Sequence, residues 1–312
     1  RRQVLNEVLK TAAPSQAIPF LLQMLRDFAH PDNVRFRKAF SYLRSHITPE
    51  IGRTLLEIAH DMCEAYFYDK YPNNIDSIHN KMFGSSLADL LRPVAYEIAP
   101  FAAELFTKLP HRYWLACVLR ELLSEAAHPD VPSKLIPMIQ SHNVHLYLRI
   151  DAIECLCPYR EDGTVVSFLM SLKDSEHEEI VVRAAAYGVL LRMELPLFAE
   201  ILRRGIEDCS EHIRHTVVQF LPHYLRQNVS NWELLFPIIE QASDDDSVDV
   251  RYWAFYSLSC FKSAPDERYF ELLRKAFRDK SAHIRAHVFH HLSLIPTREN
   301  IQFIADLIRG GW

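Results

Sequence analysis

The sequence predicts an all-α fold, a solenoid of helical hairpins, and three observations support that prediction. The chain of 312 residues contains only seven glycines, too few for the many tight turns of a β-rich fold. Hydrophobic residues make up 49% of the chain, which is enough to fill the interior of a helical array. A short arginine-centred frame occurs five times, at intervals of 34, 31, 37 and 34 residues, and periods of this length are typical of solenoids.

The repeated frame has a fixed layout around its arginine. An aliphatic residue precedes the arginine, a small or β-branched residue follows three positions later, and leucine follows seven positions later, as in the stretch from Val250 to Leu258. At about 100° per residue these apolar positions share one side of a helix, which the frame predicts to face the core. The arginines of the frame are Arg149, Arg183, Arg214, Arg251 and Arg285.

Each repeat is predicted to pair a first helix with a second helix that carries the frame. Between the two lie short polar turns, whose acidic and hydroxyl side chains can cap the second helix and favour its dipole. Residues 133–312 are therefore predicted as one continuous, regular array. Its first helices are placed near residues 133–141, 163–173, 196–207, 231–242 and 266–279, with a last helix near 298–309.

Residues 1–132 are predicted as an irregular helical part. Thr48 is suited to cap a helix that begins at Pro49, because its hydroxyl accepts from early backbone N–H groups and proline needs no donor there. A less regular copy of the frame, with one extra residue, begins at Val34. An aromatic cluster and then an insertion near residues 72–86, predicted as a loop or short irregular helix, interrupt the helices, and such interruptions often bind partners. The cluster consists of Tyr66, Phe67, Tyr68 and Tyr71.

The Asp-rich turn followed by Val-Arg, an alanine three positions on and a leucine four beyond it resembles the second helix of a HEAT repeat. This resemblance covers roughly residues 133–310. It implies a right-handed α–α superhelix of about eight hairpins, with the second helices on the concave surface. It also implies that the frame arginines and the turn acids form a structural ladder between successive repeats. The implied pairings are Arg183 with Asp174 or Asp208, and Arg251 with Asp244 to Asp246.

Helix geometry indicates which side chains of the second helices point away from the core. The positions one and five residues after each arginine lie opposite the buried side. Toward the C-terminus this row becomes rich in tyrosine and histidine, which offer a large contact area with a polar tip. Two interpretations remain open: a groove for a partner, or packing between adjacent repeats. The candidate partner-binding residues are Ile150, Glu154, His215, Gln219, Tyr252, Tyr256 and His290, with the aromatic cluster at residues 66–71 as a second candidate.

Charge and composition narrow the classes of partner and location. The formal net charge is −5, and residues 140–312 hold 19 Lys and Arg against 25 Asp and Glu, so nucleic acid is an unfavoured partner. No stretch reaches the roughly 18 apolar residues of a membrane span, so no membrane insertion is expected. The six cysteines are scattered without regular spacing, which favours buried free thiols in a reducing cytoplasm. The oligomeric state is left open.

The sequence contains no recognisable catalytic or cofactor motif. Glycine-rich phosphate loops and strained nucleophile turns are absent, so no catalytic residue and no cofactor are predicted. Sixteen histidines are an unusual number, and His283, His287 and His291 are spaced four residues apart. Since His291 falls on the buried side and no Cys or acidic partner is near in sequence, no metal site is predicted.

The sequence therefore predicts a non-enzymatic scaffold or adaptor that holds a protein or peptide on the concave face of the solenoid. The alternative is an enzyme on the same framework, best represented by the alkylpurine DNA glycosylases, whose HEAT-like arrays carry a basic concave face with Trp, Asp and Arg. The acidic array and the partly inward position of Trp253 disfavour that alternative. Bilin lyases also resemble short HEAT arrays, and only generic His and Tyr residues point to them.

Overall fold

The structure is a computed structural model, and every regular element in the part of the chain that it describes is a helix. It describes residues 2–27, 33–67, 78–110, 114–194, 196–227, 232–260, 266–294 and 297–309. The prediction of an all-α fold is confirmed for these residues. The chain divides into two compact units, Arg1–Val165 and Val166–Trp312, and each is described by itself. The change in repeat regularity expected near residue 132 stays a prediction.

The first unit contains nine helices in its described residues, together with a 3₁₀ turn, Arg92–Val94, before the sixth. They are α1 (Arg2–Thr11), α2 (Pro14–Asp27), α3 (Asn33–Arg44), α4 (Pro49–Phe67), α5 (Ile78–Leu91), α6 (Ala95–Thr107), α7 (Trp114–Ala126), α8 (Val131–Gln140) and α9 (Leu146–Glu154). The Ile51 N–H donates to the Thr48 hydroxyl at 3.3 Å, as expected for a cap before Pro49. The expected insertion overlaps α5, which begins at Ile78; residues 72–77 lie outside the described residues.

Alternate helices are neighbours in the first unit. Helices α2, α4, α6 and α8 contact one another in succession, and so do α3, α5, α7 and α9, which gives two layers of helices. A close approach of α4 to α6 occurs at Gly52, where a Cβ atom would stand 3.2 Å from Val94 and 3.4 Å from Ile98. The layered arrangement is therefore present in residues 1–132 as well, where the sequence shows only one, less regular copy of the frame.

The second unit takes in most of α10 and all of the following helices of the described chain. These are α10 (Gly163–Lys173), α11 (Ile180–Arg192), α12 (Phe198–Ile206), α13 (Glu211–Val218), α14 (Leu221–Gln227), α15 (Trp232–Ala242), α16 (Val248–Leu258), α17 (Glu267–Phe277), α18 (Ala282–Leu294) and α19 (Arg298–Arg309). The first helices predicted for the array agree with α8, α10, α12, α15 and α17, and the last helix with α19, within two residues at each end.

Second helices are successive neighbours within this unit. Helix α11 contacts α13, α13 contacts α16, and α16 contacts α18, while each of these also packs on a first helix of its own or a neighbouring hairpin. One second helix is divided into α13 and α14 by a turn at Gln219 and Phe220. Pro222 follows this turn, and a proline inside a helix removes a backbone donor and clashes with the preceding turn, so the helix breaks there.

The core lies where the frame predicts it. Every apolar frame position of the five copies is at most 2% exposed, including Val250, Ala254 and Leu258 of α16. Burying one such leucine stabilises the fold by roughly 1.5–3 kcal/mol. The buried frame positions therefore contribute much of the stability of the packing between repeats. At Gly205 a Cβ atom would meet the Val217 side chain at 2.3 Å, which shows how closely α12 and α13 approach.

Among the described residues no helix is both long enough and apolar enough to span a membrane.

Candidate partner-binding face

The frame arginines of the second unit form hydrogen bonds from each repeat to the turn of the next. Arg214 donates from Nε and Nη2 to the two carboxylate oxygens of Asp245, at 2.6 and 3.0 Å. Arg251 does the same to Asp279, at 2.7 and 3.2 Å. Arg183 donates from Nη2 to Asp208 at 2.6 Å. These hydrogen bonds connect neighbouring repeats across three successive boundaries.

The same turn carboxylates also bind the backbone just before the following helix. The carboxylates that receive an arginine each accept a backbone N–H from the residue two positions on. These N–H groups belong to Ser210, Ser247 and Ser281, at 2.9, 2.8 and 2.7 Å. One carboxylate therefore accepts hydrogen bonds both from a backbone N–H of its own turn and from an arginine of the preceding repeat.

The contact of Arg251 differs from the expected pairing, and Arg285 and Arg149 bind backbone carbonyls. The carboxylate partner of Arg251 is Asp279 of the following repeat, while Asp245 and Asp246 accept from its Nη1 through their backbone carbonyls. Arg285 likewise donates to two carbonyls, at Asp279 and Lys280. In the first unit Arg149 is 1% exposed and donates from Nε to the Ile139 carbonyl at 2.7 Å.

Electrostatics follow from these contacts. The hydrogen bonds that Arg214 donates to Asp245 and Arg251 donates to Asp279 raise the pKa of these two arginines. Burial by itself acts to raise the pKa of each carboxyl and is the largest single influence, but the arginine and serine hydrogen bonds together outweigh it and lower both pKa values. These arginines are therefore charged and already bound to carboxylates, which leaves them poorly placed to hold a ligand.

An aromatic and imidazole surface lies between α16 and α18. The Tyr252 ring stacks on His283 with centroids 5.0 Å apart, and the Tyr256 ring stacks on His287 at 5.3 Å. Both pairs are one turn apart on their helices, so two parallel stacks cross the boundary between successive repeats. The Trp253 ring meets the Tyr256 ring edge-on at 5.1 Å. We call Tyr252, Trp253, Tyr256, His283 and His287 the aromatic patch.

The aromatic patch is only partly buried. His283 is exposed, and its other members keep part of their surface in water. By contrast, Tyr187 and Tyr269 of the same unit are 2% and 1% exposed and belong to the core. Burial raises the pKa of both core tyrosines to about 12. The patch thus differs from ordinary core packing, since its rings touch the next repeat and remain accessible.

Two further groups extend this surface along the second helices. Arg226 of α14 is exposed and donates from Nη2 to the Tyr256 hydroxyl at 3.2 Å. On α13 the side chains of His215 and Gln219 are 3.1 Å apart, Nε2 to Nε2. Burial lowers the pKa of His215, and the nearby Asp249 carboxylate partly offsets this.

The candidate residues are distributed over the two units. Ile150 and Glu154 belong to the first unit. His290 is exposed on α18 and contributes to lowering the pKa of His287, after burial and His283. Of the N-terminal candidates, the backbone of residues 66–67 lies at the end of α4, and nothing further of that cluster lies within the described residues. Partner binding by this cluster stays a prediction. Its members are Tyr66, Phe67, Tyr68 and Tyr71.

Sequence reasoning missed Arg226 and the stacking role of two histidines. Arg226 follows the helix break before Pro222, so the angular phase counted from Arg214 no longer applies to it. The spacing of His283 and His287 suggested only possible metal ligands and gave no sign of stacking on tyrosine. Among the described residues no three His, Cys, Asp or Glu side chains converge as metal ligands. The buried Nε2 atoms of His287 and His291 have no hydrogen-bond partner there.

Comparisons with known proteins add little to this geometry. No protein-family model matches the chain, and no curated protein matches it. A solved structure of human deoxyhypusine hydroxylase in complex with glycerol is similar at 17% sequence identity, over 90% of this chain and 96% of that one, with a TM-score of 0.34. That similarity is too low to transfer an activity, so functional reasoning depends on the described side chains.

Proposed function

We propose that the chain is a HEAT-like binding module that holds a protein or peptide partner on the second-helix face of its C-terminal unit. The aromatic patch is the observation that carries this proposal. Tyrosine and tryptophan are the residues most often found at the centre of protein interfaces, because each supplies a large apolar area with a polar tip. Here three such rings lie within one helical turn of α16 and keep exposed surface.

Stacking between repeats supports this function as well as the stability of the array. Each tyrosine uses one ring face to meet a histidine of the next repeat, and this contact holds the ring in place. A ring that is ordered before binding loses little conformational entropy when a partner arrives. The two interpretations of the row, packing and binding, are therefore compatible in this unit.

The ladder makes the base-excision alternative less favourable. An enzyme that grips DNA needs cations directed at phosphates, and a ligand would have to compete for them with any carboxylate already bound. Arg183, Arg214 and Arg251 each bind a turn carboxylate at 2.6–2.7 Å. An excision assay on alkylated duplex DNA tests this alternative directly, and base release by the purified chain would favour it over a binding module.

The binding proposal is tested by removing the rings without removing the fold. We would compare quantitative affinity capture by the wild type and by the double variant Tyr252→Ser with Tyr256→Ser, and then titrate the purified partner. If each tyrosine contributes about 2 kcal/mol, affinity falls by more than about 100-fold. Helical circular dichroism should not change, because neither residue belongs to the core.

A matched control exists in the first unit, where Tyr96 and Tyr147 are both 53% exposed. The double variant Tyr96→Ser with Tyr147→Ser removes the same chemical groups from a different surface and should retain the partner. Equal affinity of the wild type and the patch variant for every captured protein, with the same helical content, would refute the proposal.

A further inference from the structure

Arg226 differs from most arginines of the second unit in that its partners are neutral. Within the described chain its guanidinium interacts with the Tyr256 hydroxyl and the Cys260 thiol, and hydrogen bonding to Tyr256 is the main reason that its pKa is raised. Other arginines of this unit bind carboxylates at hydrogen-bond distance. These are Arg183, Arg203, Arg204, Arg214, Arg251, Arg268, Arg274 and Arg309.

The contact with Tyr256 creates a pair of donors at one end of the aromatic patch. The tyrosine oxygen accepts from Arg226, which leaves its own hydrogen to be donated elsewhere. A guanidinium carries five N–H groups in a planar fork, so further donors remain after one bond to Tyr256. A carboxylate beside them would receive a charge-assisted hydrogen bond, which is roughly twice as strong as a neutral one.

Negative charge lies at the opposite end of the same face. Asp249 is exposed and stands three residues before Tyr252 and seven before Tyr256, so all three share one side of α16. Seven residues of helix separate the two ends by about 10 Å. A further acid of this unit, Glu194, lies 3.7 Å from His223 of α14. The field along the patch therefore favours an anionic group at the Arg226 end.

Building on the proposed function, we infer that the partner is an acidic peptide segment. Its carboxylate binds Arg226 and the Tyr256 hydroxyl, and an adjoining apolar side chain lies on the exposed surface of Tyr252 and Tyr256. Charge complementarity selects the acidic residue, because Arg226 is a cation with neutral partners. The rings contribute apolar contact that depends little on sequence.

Three fluorescein-labelled peptide pools test the inference by fluorescence anisotropy at neutral pH. All contain Leu, Phe and Gly, with Glu in the acidic pool, Gln in the neutral pool and Lys in the basic pool. Peptides of about six residues are long enough, since an extended chain spans about 3.3 Å per residue. Wild-type protein should bind the acidic pool about tenfold more tightly than the neutral pool, which corresponds to about 1.4 kcal/mol.

Variants separate this inference from the proposed function. Arg226→Gln should abolish the preference for Glu and keep the affinity for the neutral pool, whereas Arg203→Gln removes the same charge from α12 and should keep the preference. The Tyr252→Ser with Tyr256→Ser variant should lose affinity for both pools. Circular dichroism checks that each variant is folded.

The possible contrary results are distinct. Equal binding of the acidic and neutral pools that still requires the tyrosines refutes the inference and leaves the proposed function standing. A preference for the basic pool, or a preference for Glu that survives Arg226→Gln, also refutes it. Displacement of the labelled acidic pool by unlabelled oligothymidylate at lower concentration than by unlabelled Glu peptides would refute it in favour of single-stranded nucleic acid. Binding of no pool refutes the inference, while the affinity-capture comparison of the wild type and the tyrosine variant decides the proposed function separately.

Discussion

Replacing Asp279 by alanine is expected to loosen the α17–α18 hairpin from the hairpin before it. Asp279 lies in the turn between α17 and α18, and its carboxylate accepts from Arg251 of α16 at 2.7 and 3.2 Å. It also accepts the Ser281 N–H at 2.7 Å. The Asp279 and Arg251 side chains are 6% and 12% exposed, so the variant leaves a guanidinium that water reaches poorly.

The magnitude follows from these contacts. Removing one partner of a buried ion pair costs about 3–5 kcal/mol, and losing the hydrogen bond from the Ser281 N–H costs about 1 kcal/mol. Arg251 retains two backbone acceptors, the Asp245 and Asp246 carbonyls, so we expect the lower figure, about 3 kcal/mol. Because the pKa of Asp279 is lowered, this contribution is complete at neutral pH and is lost only as the pH falls below about 4 and through the lowered value.

Hydrogen exchange measured by mass spectrometry locates the effect. Amides of α17 and α18 should exchange roughly 100-fold faster in Asp279→Ala than in the wild type, since 1.4 kcal/mol is tenfold, while amides of α11 should change little. Asp244→Ala is the matched control, because it removes another inter-repeat ion pair, with Lys275 at 2.5 Å, whose acid is 71% exposed. That variant should cost less than about 1 kcal/mol. Similar effects of the two variants, or uniformly faster exchange throughout the unit, would refute the reasoning.

Three further predictions concern histidine, glycine and cysteine. Burial and then neighbouring histidines lower the pKa of His291, so the free energy of unfolding should fall as the pH drops below about 6.5, and His291→Leu should reduce that dependence in denaturation series across pH. Gly205→Ala should cost about 1–3 kcal/mol in urea denaturation, because its Cβ would stand 2.3 Å from a valine side chain. Gly163→Ala meets nothing within 4 Å and should change stability by less than about 1 kcal/mol; equal effects of the two would contradict the clash. Burial raises the pKa of the Cys155 thiol, so a thiol reagent should label exposed Cys117 first and Cys155 only on unfolding.

Local sequence was sufficient for the helices and for their buried sides. The frame around Arg251 predicted a core face, and its apolar positions are buried in every copy. First-helix ends were predicted within two residues because proline, polar turns and apolar spacing mark them along the chain. The aromatic character of the row at Tyr252 and Tyr256 was visible as well, since the angular position of a residue on a straight helix depends only on its number.

The pairings between repeats could not be obtained in this way. The expected acid for Arg251 was in the turn before its own helix, whereas its carboxylate partner, Asp279, is in the turn after the next first helix. Helical spacing does not distinguish these acids, because each turn places an Asp two residues before the Ser that precedes the next helix. The choice depends on how far one hairpin is shifted along the next, which close contacts such as that at Gly205 help to set.

The sequence alone determined that this chain is helical, where its second helices lie and which of their sides is buried, because those properties arise from contacts within a few residues. Only the tertiary structure decided that Tyr252 and Tyr256 stack on His283 and His287, and that Arg226 reaches the Tyr256 hydroxyl. Each of those contacts joins residues about 30 positions apart, and their meeting depends on the axial offset and crossing of packed helices, which side-chain volume at the interface determines.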